Sequence, residues 1–437
     1  MRLIQDWQAY NDSLLFKSTE EYFKNAGKEA FSNEGKDKKH VVPNEMTNSI
    51  AHARSLANFV KENLVNYPAH EKIKILEIGS GAGIFAKHFL ICAREMNFID
   101  RIEFLVTEYS RISLEQIKIS NILKDFKENS NYKFVLLDIL NPNQAKDLNG
   151  NKYEINNISV SIMNYILCVL PLTLIRKTPE GDLQELFLRF HEKEGTPQDL
   201  NYLENLIQEQ EWRNYDFNKE TDLEKKYFRI LEQHLDNHNE GFSFYSYGSL
   251  AVIDNILEFS NENAFIFVAE MPNLINAALP YKIYANSIAH PINDGLISTL
   301  INSKNLEIIR SIDQHYPLMR MFIMKNPENL KSFVQQFEQE YIEKNDSNLI
   351  IELRGMISQF TSKYSCETMK ALIDKLIKID KYSYETKLLL ARYYFLANDL
   401  EQSRIAYLEA KNLDYLGNLE IHSGPLKKIL ELEHEAA

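Results

Sequence analysis

From residue 73 onward, short apolar runs alternate with longer amphipathic stretches. Ile73–Ile78 (I-K-I-L-E-I), Ile102–Thr107 (I-E-F-L-V-T), Tyr132–Leu137 and Ile158–Asn164 (I-S-V-S-I-M-N) are mostly apolar, and each stops at a polar tip. Runs of that length and composition read as strands buried on both faces. Between them, residues 83–95 and 112–126 carry apolar side chains at helical spacing. That alternation predicts a mostly parallel sheet covered by helices on both sides. A helix over Gly248–Phe259 and a fifth strand over Ala264–Ala269 continue it. Leu306–Ile312 and Pro317–Lys325 then read as a closing antiparallel pair, so the fold expected is α/β with its last strand antiparallel.

The flanks change the pattern. Residues 1–42 are expected to form an N-terminal helical arm, followed by the sheet domain over 43–326. A helix capped by Asn48 or Ser49 opens that domain, with Ile50, Leu56, Phe59, Val60 and Leu64 on one face. Residues 176–240 are rich in charge, and we expect a helical insertion there, near the edge where ligands of such sheets bind. From 327 to 437 the pattern is helix only. There, Ala391, Tyr394, Asn398, Ser403, Tyr407 and Ala410 fall at offsets that resemble a tetratricopeptide repeat. One repeat cannot bury its own apolar face. A protein partner, a second copy of the chain or the sheet domain itself must cover it.

The candidate chemistry lies at the strand tips. Glu77 ends the first strand, and Gly79, Ser80, Gly81 and Gly83 follow it into a helix. Glycines in such a turn let the backbone approach a ligand closely. Gly81-Ala82-Gly83-Ile84-Phe85-Ala86 also fits a loose dinucleotide-binding turn, so two ligand readings stand. Glu77 weighs toward the ligand with a cationic amino-acid moiety, since a carboxylate there repels a pyrophosphate. Glu108, with Tyr109 beside it, suits both hydroxyls of a ribose. Asp138 suits an adenine amino group, and Ile139 offers a backbone N–H and an apolar lid. Asn164 and Tyr165, at the fourth tip, are the candidates for contacting a second reactant. His234 and His238 stand four apart but lack the H-E-x-x-H glutamate and a third ligand, so no metal is expected.

The stretch from Ile73 to Phe85 resembles motif I of the class I S-adenosylmethionine (SAM) dependent methyltransferases. Between about Pro43 and Pro171 the chain is further similar to the MidA-type family, which includes a mitochondrial complex I assembly methyltransferase. Val106-Thr107-Glu108-Tyr109-Ser110, with Gln116 beyond, sits where that family has a Val-Glu-x-Ser-like segment. Pro43-Asn44-Glu45-Met46-Thr47 sits at its Thr-containing loop, which implies that Thr47 lies against the SAM carboxylate. The family's Asn-Glu-Leu-Leu-Asp-Ala-Leu-Pro corresponds here to Asn164-Tyr165-Ile166-Leu167-Cys168-Val169-Leu170-Pro171. Tyr165 and Cys168 therefore replace two acids that would orient a guanidinium. The resemblance implies SAM as cofactor and methyl transfer to a protein side chain, with the C-terminal helices recognising that protein or pairing two copies. The replaced acids keep a noncatalytic SAM-binding scaffold as a rival, and methylation of a small molecule is a third reading.

Composition narrows the partners. Lys and Arg number 49 against 62 Asp and Glu, a net charge of −13, which disfavours nucleic acid and anionic membrane. The three cysteines are far apart, as expected of reduced thiols in the cytoplasm. No apolar run reaches the ~18 residues of a membrane span, and no secretory segment follows Met1-Arg2.

Overall fold

A computed structural model of the chain describes residues 1–25, 45–195, 202–236, 242–272, 281–284, 287–312, 318–326, 330–344, 346–359, 366–415 and 419. An eight-stranded sheet forms its centre. The strands run in space as Glu307–Ile312, Met319–Met324, Ser260–Glu270, Ile158–Asn164, Ile73–Ile78, Ile102–Glu108, Tyr132–Leu136 and the two-residue Lys146–Asp147. The five strands from Ser260–Glu270 to Tyr132–Leu136 are mutually parallel. Met319–Met324 joins antiparallel, and Glu307–Ile312 pairs antiparallel with it in turn. This is the mostly parallel sheet with an antiparallel close that the hydrophobic pattern predicts.

Side chains divide between the faces as a period of two requires. Ile75, Phe104, Val106, Ile162 and Phe267 belong to one buried cluster, and Leu76, Leu105, Met163, Ile266 and Val268 to another. Helices Ile50–Asn63 and Ile84–Glu95 cover the first face. Helices Tyr247–Phe259 and Asp294–Ser303 cover the second. Ser49 caps the first of these helices, its hydroxyl accepting from the His52 N–H. Helix Arg111–Ile119 stops short of the expected 126, where Asn121 adopts a left-handed φ of 54°.

Two expectations are corrected. Among its described residues the insertion expected to be helical contains one long helix, Asp222–Asp236, two single 3-10 turns, and otherwise strands with their connections. Leu183–Glu192 pairs along one edge with Ile207–Asn214, and its other edge is shared by Arg2–Ala9 and Thr173–Lys177. Phe242–Tyr245 extends the sheet beyond Thr173–Lys177. The physical cause is the alternation of buried Leu186, Leu188 and Phe190 with the half-buried Glu185, Phe187, Arg189 and His191, which suits a half-buried strand. A tight turn also precedes it, in which Gly181 has φ 94° and donates to Thr178 O. The expected helical arm likewise begins as strand Arg2–Ala9, and only Leu14–Asn25 is helical among its described residues; 26–42 lie outside them.

Beyond residue 327 the described elements are helical, as expected. The first, Leu330–Glu338, belongs to the cover of the sheet, where Phe333, Phe337 and Tyr341 pack with Phe59 and Phe322. Helices Tyr384–Leu396 and Leu400–Leu413 form a close hairpin. Ala391 and Ala410 are fully buried there, and the Ser403 hydroxyl donates to Ala391 O at 2.8 Å. Lys381 and Tyr382 both reach Glu95 on helix Ile84–Glu95, tying this module to the sheet domain.

Candidate active site

At the carboxyl ends of the parallel strands lies a cavity of about 520 Å³, within the range of small-molecule sites. Thr47, Glu77, Gly79, Ser80, Gly81, Glu108, Tyr109, Asp138, Ile139, Asn164 and Tyr165 all line it. Gly83 does not. It stands at the start of helix Ile84–Glu95 with φ 76°, and a Cβ there would come within 2.8 Å of Ile117. Gly79 has φ 67°, and its missing Cβ would run into the Ile166 side chain. Any side chain at that position would fill the turn.

The turn is held to the second strand by hydrogen bonds. Ser80 N–H donates to Thr107 O at 2.8 Å, Thr107 N–H donates to Ser80 Oγ at 3.1 Å, and the Thr107 hydroxyl donates to Glu77 O at 2.6 Å. Gly81 N–H donates to Glu108 Oε1 at 2.5 Å. Both glutamates are buried, which disfavours their ionised forms. Burial pushes the Glu77 carboxyl up to about 8, opposed by a hydrogen bond from Ser80 and reinforced by the charge of Glu108. Burial likewise raises Glu108 to about 7, against N–H donors from Gly81, Tyr109 and Ser110. Glu77 Oε2 has no hydrogen-bond partner among the described residues. A buried carboxylate oxygen left unpartnered is costly and suits a ligand donor. Asp138 is more accessible and receives the Leu140 N–H and the Asn141 amide.

At the fourth tip, Tyr165 adopts a left-handed φ of 55°, strained for an aromatic residue, while its N–H donates to Ala269 O at 2.9 Å. Asn164 Oδ1 lies 3.3 Å from His52 Nε2. Burial and then the charge of Arg320 lower His52 to about 3, so its ring is neutral and donates through Nε2 to the amide. Beneath this loop Glu270, fully buried, accepts the Leu167 N–H at 2.5 Å; burial raises it to about 7.

The remaining walls were not anticipated. Helix Leu14–Asn25 lays Phe16, Thr19 and Phe23 over the cavity, and Ser287, Ile288 and Ala289 stand beside it. Thr19 Oγ1 accepts the Ile288 N–H at 2.9 Å, joining the two segments. His290, next in the chain, is buried: its Nδ1 donates to Cys168 O at 3.0 Å, and Nε2 accepts from the Tyr10 hydroxyl at 2.6 Å. It fastens the N-terminal segment rather than facing the cavity. His234 is hydrogen-bonded by Asn293, and His238 lies outside the described residues. Among the described residues, no group of three His, Cys, Asp or Glu could hold a metal. None of the described helices is long and apolar enough to cross a membrane.

No family model matches the sequence, and no curated protein matches it. Solved structures do resemble it. One is a protein from Burkholderia thailandensis, held to be a methyl transferase and solved with S-adenosyl-homocysteine bound. It aligns with a TM-score of 0.47 at 10% identity, over 73% of this chain and 88% of its own. A second structure, of an uncharacterised protein of the same superfamily and organism, gives 0.45 and 11% over 73% and 87%. The magnesium protoporphyrin IX methyltransferase of Synechocystis PCC 6803, also with S-adenosyl-homocysteine, gives 0.34 and 9% over 70% and 97%.

Proposed function

We propose that this chain is a class I SAM-dependent methyltransferase. One observation carries the proposal: Glu77, Glu108 and Asp138, from three successive strand tips, line one cavity with the Gly79–Gly81 turn. The residues fit the nucleoside ligand. Glu77, with its unpartnered oxygen, would take the ammonium group, Glu108 the ribose hydroxyls, and Asp138 and Ile139 the adenine. The bare Gly79 gives the methionine portion its room, with Thr47 beside it. A dinucleotide would set its pyrophosphate against Glu77, which disfavours that reading.

When SAM is bound, an acceptor's lone pair bonds to the methyl carbon as the carbon–sulfur bond breaks; the electron pair stays on sulfur, and the acceptor's proton goes to water. The chain's own part is alignment and exclusion of water. Tyr165, in its strained conformation, walls the reaction centre. Asn164, its amide orientation set by His52, contacts the acceptor. The likeness to the MidA-type family extends the proposal to an acceptor carried on a protein, recognised by the repeat-like helices in the cytoplasm.

A noncatalytic SAM-binding scaffold is the second reading, favoured by Tyr165 and Cys168 standing where that family has acids. Incubation with methyl-labelled SAM and cell lysate separates the two. Transfer that vanishes in Gly81→Arg supports the enzyme, and binding by calorimetry with no transfer supports the scaffold. Stabilisation by NAD but not by S-adenosylhomocysteine contradicts both.

A further inference from the structure

The cavity has two halves of different chemistry. The half beneath the first three strand tips holds Glu77, Glu108 and Asp138, which the proposed function assigns to the nucleoside. The other half lies between helix Leu14–Asn25, the 165–171 loop and the 287–289 segment. Phe16, Val169, Leu170, Met271 and Ile288 are its apolar walls, while Phe23 stands toward the second strand tip, where Lys24 O accepts the Ser110 hydroxyl. No Lys, Arg or His lines either half among the described residues. The one further carboxylate lining the cavity, Glu20, lies on the same face of helix Leu14–Asn25 as Phe16 and Phe23; it is exposed and accepts from the Tyr109 hydroxyl at the second strand tip.

Resting on the methyltransferase reading, we infer that the acceptor is an uncharged, mainly apolar group. A carboxylate or phosphate entering this half would lose its hydration with no cation among the described residues to replace it. It would also approach Glu77 and Glu108. A guanidinium or ammonium would equally leave water for a wall whose carboxylates among the described residues are engaged, Glu77 by the nucleoside ligand and the exposed Glu20 by the Tyr109 hydroxyl. The polar groups that remain are neutral. Thr19 is already engaged, accepting from Ile288 N–H and donating to Leu15 O, whereas the Asn164 side-chain NH2, buried with no partner among the described residues, can orient the acceptor. This departs from the guanidinium implied by the family likeness, and it agrees with the exchange of two acids for Tyr165 and Cys168. An aromatic or aliphatic acceptor fits whether free in solution or carried on a polypeptide.

The test is binding to the full chain saturated with S-adenosylhomocysteine, using three probes of one shape: 2-naphthol, 6-hydroxy-2-naphthoate and 6-amidino-2-naphthol. The expected result is that the neutral probe binds at least tenfold tighter than either charged one. Met271→Lys, checked for retained S-adenosylhomocysteine affinity, is expected to reverse the order in favour of the carboxylate. Displacement of 2-naphthol by acetyl-Gly-Tyr-Gly-amide supports a polypeptide-borne acceptor; failure to displace supports a free one. A charged probe binding as tightly as 2-naphthol, or no binding by any of the three to the loaded protein, overturns the inference. Failure of the chain to bind S-adenosylhomocysteine overturns the methyltransferase reading instead.

Discussion

Lowering the pH should weaken nucleoside binding steeply, because the two glutamates at the first and second strand tips are held protonated by burial. Glu77 sits at about 8 and Glu108 at about 7 in the free chain. An ammonium ligand requires Glu77 ionised. Each unit below its pKa then costs a factor of ten, or ~1.4 kcal/mol. From pH 8, where Glu77 is half ionised, to pH 6 the affinity for S-adenosylhomocysteine should therefore fall about fiftyfold, roughly 2.3 kcal/mol. Above about pH 8 the ligand's own amino group deprotonates, so affinity should peak near there. Titration calorimetry in two buffers of different ionisation enthalpy reads the same event directly. Near neutrality the chain should release close to one proton per ligand bound. An affinity that is flat from pH 6 to pH 8, with no proton released, would refute the assignment of Glu77 as the ammonium partner.

Three further outcomes follow from the same geometry. Glu77, Glu108 and Glu270 are protonated in the folded chain and ionised in the unfolded chain between about 4.5 and their raised values. Folding therefore takes up protons in that window, and thermal stability should fall as pH rises from about 5 to about 8, then level off. Gly79→Ala should cost ~1–2 kcal/mol for the left-handed backbone alone, push Ile166 into the cavity, and abolish the thermal shift given by S-adenosylhomocysteine. Arg354→Met should leave Asp380 buried without its 2.6 Å partner. It should loosen helices Cys366–Asp380 and Tyr384–Leu396 by about 3 kcal/mol, seen by hydrogen exchange, while ligand affinity stays within a factor of two.

What the sequence made legible was local. An apolar run, a polar tip and a glycine turn fall within a dozen residues at Ile73–Phe85, and the same logic located Glu108, Asp138 and Asn164. The walls of the acceptor half depend on contacts no local pattern encodes: Thr19 meets Ile288 across 269 residues, and Tyr10 meets His290 across 280. Glu270 was hidden for a related reason. Its role is visible only once the fifth strand lies beside the fourth and brings its carboxyl under Leu167. The insertion was misread because its charge density outweighed the alternation of Leu186, Leu188 and Phe190, which was readable all along.

The central claim is that one adenosyl ligand is gripped by acids from three neighbouring strands. A crystal structure with S-adenosylhomocysteine tests it most directly. The account predicts the ammonium within hydrogen-bonding distance of Glu77, both ribose hydroxyls on Glu108, and the adenine between Asp138 and Ile139. A ligand seated elsewhere, or a cavity that admits none at saturating concentration, would contradict it.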